Sequence, residues 1–264
     1  MRSVLAAVMV LLAFNSGLLA QQAEVEEASP DAGLNFEVTL DLYSAYVFRG
    51  CAVNDRPVWQ PGGTVSYSAG EYGTFSAGVW ANFDITGRNG CRSGGGLNEI
   101  DYMISYSMDV NDFALEAGHV WYTFPQAGGK DYLLSTREVY GLAAYNNDIV
   151  TPSLAVYYDY AAVEGFYGVA ALNKEIALSD QLTLGADVSL GAGDEDYMNA
   201  YFGEDSFGLA DFTAGVYALF AVTDHIAVGA RMAWTSLVDS GARENKVYWQ
   251  EDILWGGINL SAAF

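Results

Sequence analysis

The chain has 264 residues, 52% of them hydrophobic, with 33 acidic residues against 11 basic ones, two cysteines, 29 glycines and 18 tyrosines. A nucleic-acid binder needs a basic face to neutralise phosphates, and this charge balance excludes one. Composition leaves a soluble β-protein and a membrane barrel both in play, so periodicity has to decide.

The first twenty residues read as a secretory signal peptide: Arg2, an apolar run from Val4 to Phe14, then Asn15-Ser16-Gly17 and a small residue at Ala20. Cleavage is expected after Ala20, with 10 basic residues left in the mature chain. Residues 21–33 are acidic and polar and read as a mobile tail, which leaves 34–264 for the folded part.

From Leu34 onward the apolar period is two, the signature of strands. Phe36, Val38, Leu40, Leu42, Tyr46 and Phe48 alternate with Asn35, Glu37, Thr39, Asp41 and Tyr43. This stretch is longer than the typical globular strand of about five or six residues. Similar rows follow: Trp59 to Tyr67, Phe75 to Phe83, Ile100 to Met108, Phe113 to Tyr122, Arg137 to Tyr145, Ser153 to Tyr160 and Phe166 to Ile176. Leu182 to Leu190, Phe212 to Phe220, Ile226 to Trp234 and Leu254 to Phe264 complete the set. The number of strands is twelve, even as single-chain bacterial barrels require.

Connections alternate too. Ala69 to Glu71, Val110 to Asp112, Asn146 to Pro152, Ser179-Asp180 and Ala221 to His225 are short. Those between them are mostly long, Ala161 to Glu164 being the exception. Tight periplasmic turns against long outer loops are the layout of an outer-membrane barrel. The expected fold is therefore all-β: a transmembrane, antiparallel, up-and-down barrel in the bacterial outer membrane. Aromatic residues fall at strand ends, Tyr46, Phe48 and Trp59 at one rim and Tyr67, Phe113 and Tyr145 at the other, where amphipathic rings suit the membrane boundary. The last strand closes on Phe264, a terminal aromatic that resembles the signal by which outer-membrane assembly machinery recognises its clients.

Asp41-Leu-Tyr-Ser-Ala-Tyr-Val-Phe-Arg-Gly50 resembles the opening strand of the TorF family of porins. Pro57 to Gly63, Phe75 to Phe83, Asn98 to Asp101, Gly118 to Phe124 and Glu138 to Tyr140 are similar to later stretches of that family. Cys51 and the loop around Cys91 depart from it. The resemblance implies an outer-membrane barrel with a pore function and transfers no substrate, cofactor or catalytic residue.

In a barrel the polar phase faces the lumen. That register points Glu37, Asp41, Glu99, Asp101, Glu116, Asp159, Asp187 and Arg231 inward, with Arg49 near the outer mouth. A lumen rich in carboxylates favours cations, which gives the leading expectation: passive diffusion of small hydrophilic solutes with cation preference. A closed structural or binding barrel, its interior plugged by ion pairs and its acidic loops meeting a partner, is the first alternative. A membrane-embedded lipid hydrolase centred on His119, with Ser135 or Thr136 as the nearest hydroxyls, is the second. His225 lies in a short turn and reads as solvated. Asp194-Glu195-Asp196 and Glu204-Asp205 read as a solvated acidic loop rather than a cation site. No metal or cofactor motif stands out. Cys51 and Cys91 sit in adjacent outer loops, and in an oxidising envelope a disulfide between them is expected.

Overall fold

The computed structural model describes residues 33–86, 88–89, 92–93, 96–125, 135–245 and 250–264. Twelve antiparallel strands close into one barrel. In chain order they are β1 Gly33–Tyr43, β2 Val58–Ser68, β3 Thr74–Asp84, β4 Gly96–Val110, β5 Phe113–Thr123 and β6 Ser135–Tyr145. They continue as β7 Thr151–Asp159, β8 Phe166–Ala177, β9 Leu182–Gly193, β10 Gly208–Thr223, β11 Ile226–Leu237 and β12 Asp252–Ala263. Each strand pairs with its neighbours in sequence, and β1 pairs with β12 from Glu37↔Ala263 to Tyr43↔Gly257. Phe264 extends that seam: its amide donates to the Phe36 carbonyl and its carbonyl accepts from the Phe36 amide, both at 2.9 Å. Closure satisfies the backbone groups that an open edge would leave exposed.

Alternation sorts the side chains. Outward, Leu34, Phe36, Val38, Leu40 and Leu42 are 38–57% exposed, and every strand adds similar residues to an apolar outer surface. The intervening residues of β1, Asp41 and Tyr43 among them, are shielded inside. Such a surface would drive aggregation in water but suits lipid, and it surrounds a polar interior. Trp59 packs against Phe83 (5.0 Å between ring centroids) at one end of the barrel, and Phe113 against Tyr145 (5.2 Å) at the other. Outward-facing Arg137 lies 5.1 Å over the Trp121 ring near a strand end, where a long basic side chain can reach the boundary.

The two ends differ. One end, with the start of β1 and the end of β12, carries tight turns: residues 69–73, 111–112, 146–150, 178–181 and 224–225. Asn111, at φ +56°, supplies the left-handed corner of the second. The opposite, loop end carries the longer connections. In one of these, α1 (Glu195–Phe202) starts where Asp194 Oδ1 accepts from the Tyr197 amide at 3.0 Å, and Gly203 (φ +72°) ends it. The acidic stretch expected to be a solvated loop is thus the N-cap and first turn of a helix whose Tyr197, Met198 and Phe202 are buried. A second short helix, α2 (Ser240–Asn245), packs against α1.

β1 is shorter than its alternation suggests. It stops at Tyr43, and the chain bends at Ser44–Ala45 into a separate hairpin, Tyr46–Phe48 paired with Cys51–Asn54. This hairpin folds into the barrel rather than standing over its mouth. Tyr46 and Phe48 are therefore core residues, not rim aromatics: their rings pack on Trp80 (5.7 Å) and Tyr122 (6.2 Å) inside the lumen. The aromatic interior offers them a better surface than the lipid boundary does, because it also accommodates the charge that follows them, Arg49.

Candidate functional site: the plugged lumen

Arg49 and Gly50 form the tip of the hairpin, both with left-handed backbone, φ +46° and +84°. Gly50 lies so close to β10 that a Cβ there would sit 2.6 Å from Asp211 Cβ. The hairpin thus reaches across the lumen from Trp80 on β3 to Asp211 on β10.

The Arg49 guanidinium is buried. It donates through Nη1 and Nη2 to the two carboxylate oxygens of Glu138 on β6, at 2.8 and 2.7 Å. Its Cζ lies 4.2 Å from the Tyr157 ring centroid, 4.6 Å from Tyr167 and 4.8 Å from Phe48. Tyr122 donates its hydroxyl to Glu138 Oε2 at 2.7 Å, fixing the carboxylate. A planar guanidinium suits this cradle of two parallel acceptors and flanking π faces in a way that a point-like ammonium does not. From above, Tyr197 of α1 packs on Tyr167 (5.0 Å) and Tyr201 (4.5 Å), and Tyr201 reaches Phe48 (6.2 Å). At the loop end of the lumen, aromatic rings pack around one cation.

Further contacts seat the flanks of the hairpin. Asn54 Nδ2 donates to Asp84 Oδ1 at 2.5 Å, inside a ladder of amides in which Gln60 donates to Asn82 (2.9 Å) and Asn82 to Asn98 (2.7 Å). Tyr46 hydrogen-bonds Glu99, and burial, then the charges of Glu99 and Asp101, hold its phenol protonated well above the ordinary range.

A second buried pair lies deeper. Arg231 Nη1 and Nη2 donate to Asp187 at 2.8 and 2.9 Å, with the Trp255 ring 5.7 Å from the guanidinium. Gly215 makes room for it, since a Cβ there would be 2.5 Å from Arg231 Nη2. Tyr167 donates to Asp211 at 2.8 Å, and Tyr140 hydrogen-bonds Glu116.

Of the residues singled out in the sequence, Asp41, Glu99, Asp101, Glu116, Asp159, Asp187 and Arg231 are all buried in the interior, and Glu37 shares their face of β1 half-shielded. Arg49 is drawn inside from the mouth where it was expected. Asp159 serves local structure: Oδ1 accepts from the amides of Ala161 and Ala162 at 2.9 and 3.0 Å, and Oδ2 from Thr136 at 2.6 Å, tying the short β7–β8 connection. Sequence reading missed Glu138, Asp211 and Asp84. All three lie in the inward phase of their strands, and that phase was the signal available. Cys51 is buried at the hairpin tip, but Cys91 lies outside the described residues, as do the proposed signal peptide and nearly all of the acidic tail.

The hydrolase arrangement does not assemble. His119 Nε2 sits 2.8 Å from the Tyr160 hydroxyl on the outer face. It pairs in register with Val139, whereas Ser135 lies four residues further along β6, roughly 13 Å away at strand spacing. Thr136 points to the interior and is engaged by Asp159.

Among the described residues, then, the interior buries nine carboxylates, Asp41, Asp84, Glu99, Asp101, Glu116, Glu138, Asp159, Asp187 and Asp211, against two guanidinium groups. A closed antiparallel barrel of twelve strands with an apolar outer band and a polar interior is the architecture of outer-membrane β-barrels. Two of the solved structures that share this barrel fold are a channel and a porin. The COG4313 outer membrane channel from Pseudomonas putida F1 aligns with a TM-score of 0.56 at 12% identity, over 89% of this chain and 96% of that one. The NanC porin aligns with a TM-score of 0.51 at 10% identity, over 86% and 98%. No curated protein matches the sequence. Residues 27–245 match the family described as "Bacterial protein of unknown function (Gcw_chp)", and the chain belongs to that family.

Proposed function

We propose that this protein is an outer-membrane pore for small hydrophilic solutes, selective for cations, and that its lumen is closed by its own first loop in the state described. The observation that carries this reading is the surplus of buried carboxylates over guanidinium groups inside the barrel. A low-dielectric wall around such a surplus focuses a negative potential along the axis, which lowers the entry barrier for cations and raises it for anions. The porin and channel that share the fold, and the likeness to TorF porins, support a pore without identifying its solute. In this reading residues 1–20 direct export, the tight-turn end faces the periplasm and the plugged end faces outward. A Cys51–Cys91 disulfide would hold the plug to the second outer loop, and peptide mapping with and without reductant tests it.

The docked hairpin itself favours a second reading, a closed structural barrel. Reconstitution in planar bilayers separates the two. The pore reading expects discrete conductance steps that grow more frequent when the hairpin is destabilised. A barrel that stays silent in wild-type and hairpin-destabilised forms alike is structural.

A further inference from the structure

Arg49 occupies its cradle as a ligand would. The hairpin that carries it is a two-stranded unit of its own, hydrogen-bonded within itself and outside the barrel sheet. Beneath it the β1–β2 ladder is complete up to Tyr43↔Val58, so no strand-pairing hydrogen bond of the barrel breaks if the hairpin leaves. At the tip the one charged anchor is Arg49, with two hydrogen bonds to Glu138 and the faces of Tyr157 and Tyr167 on the barrel wall, beside the apolar packing of Phe48 and the contact of Asn54 with Asp84.

The wall also has more acceptor capacity than Arg49 uses. Asp101 is fully buried, its charged neighbours are Glu99 and Glu138, and both of its carboxylate oxygens lack a hydrogen-bond partner among the described residues. A buried carboxylate in that state costs free energy until a donor reaches it. The Tyr197 hydroxyl, near Arg49, is likewise buried without a partner among the described residues. The site is shaped for a planar multi-donor cation rather than a bare metal. It offers a fork and π faces, and no group of three or more metal-ligating side chains is placed to hold an ion among the described residues.

We propose that the cradle filled by Arg49 is a binding site for guanidinium-bearing organic cations, and that such a cation, by replacing Arg49 on Glu138, releases the hairpin from the lumen. This deepens the pore reading, because the ligand that opens the barrel would be drawn from the solutes that cross it. The binding half stands or falls without any conductance.

The test uses methylguanidinium, with methylammonium at equal millimolar concentration as the control for charge and ionic strength. In Arg49→Ala protein folded in detergent micelles, the vacated cradle binds methylguanidinium, and the melting temperature rises by about 2–4 °C once the probe exceeds its Kd several-fold. Methylammonium gives no such rise, and adding Glu138→Gln removes it. In the wild-type protein, which needs no variant to fold, methylguanidinium speeds hydrogen exchange of amides 46–54 several-fold over methylammonium and leaves the β12 amides unchanged. Equal responses to the two cations in both experiments, or a methylguanidinium effect that survives Glu138→Gln, overturn the inference. Selective binding in a protein that shows no conductance overturns the pore reading instead and leaves the site intact.

Discussion

Glu138→Gln removes the charge on which the hairpin tip rests while keeping the side chain's volume. In the native protein Glu138 accepts two hydrogen bonds from Arg49 and one from Tyr122, all within 2.8 Å and all buried. Depriving a buried ion pair of one partner costs about 3–5 kcal/mol, because the remaining charge stays desolvated. The glutamine carbonyl can still accept one bond from the guanidinium, worth about 1 kcal/mol. The contacts with Tyr157 and Tyr167 are the same in both proteins. The net loss is therefore about 2–4 kcal/mol, a roughly 30- to 1000-fold drop in the docked-to-released ratio. The barrel's strand pairing does not involve the hairpin, so the loss falls on docking and not on global stability. Hydrogen exchange read by mass spectrometry on amides 46–54 in detergent micelles measures it directly. Protection there should fall by at least an order of magnitude, while amides of β9 to β12 exchange as in the wild type. Hairpin amides that exchange within twofold of the wild-type rate would refute the reasoning, since they would show that the plug does not depend on this pair.

Gly50→Val should release the hairpin by a different route, because its backbone is left-handed and a Cβ would sit 2.6 Å from Asp211 Cβ; the same exchange experiment should show the same loss of protection. Gly215→Ala should destabilise the barrel by about 1–3 kcal/mol in urea unfolding, since its Cβ would meet Arg231 Nη2 at 2.5 Å. Gly141→Ala, with nothing within 4 Å of the added carbon, should be close to neutral in the same assay. Val38→Arg, midway along β1 on the outer face, should cost about 2–4 kcal/mol for folding into lipid vesicles, and a cost near zero there would argue against a lipid-facing outer surface.

The barrel was legible because its physics is local. Period-two alternation and the rhythm of turns and loops are written in adjacent residues, and the inward phase placed Asp41, Asp101, Asp187 and Arg231 without any knowledge of their partners. The plug was not legible. Tyr46 and Phe48 keep the apolar phase of Leu40 and Leu42, and Ser44–Ala45 carries neither glycine nor proline, so nothing local announces that the chain leaves the wall. The partners that receive it inside are distant in sequence, Glu138 being 89 residues from Arg49, and such partners have no signature near the hairpin. The helix α1 lies between these cases. Asp194 stands at the N-cap position, and Tyr197, Met198, Tyr201 and Phe202 follow at helical spacing. That pattern was readable but was masked by three consecutive acids that suggest a solvated loop.

Once the hairpin is out of it, an acidic lumen should conduct cations. The most direct test is the reversal potential of reconstituted Glu138→Gln protein in a planar bilayer under a potassium chloride gradient. The surviving carboxylates outnumber the two guanidinium groups, so the potential should take the sign of potassium selectivity. A reversal potential at zero or of chloride sign, or a hairpin shown to be released with no conductance at all, would contradict it.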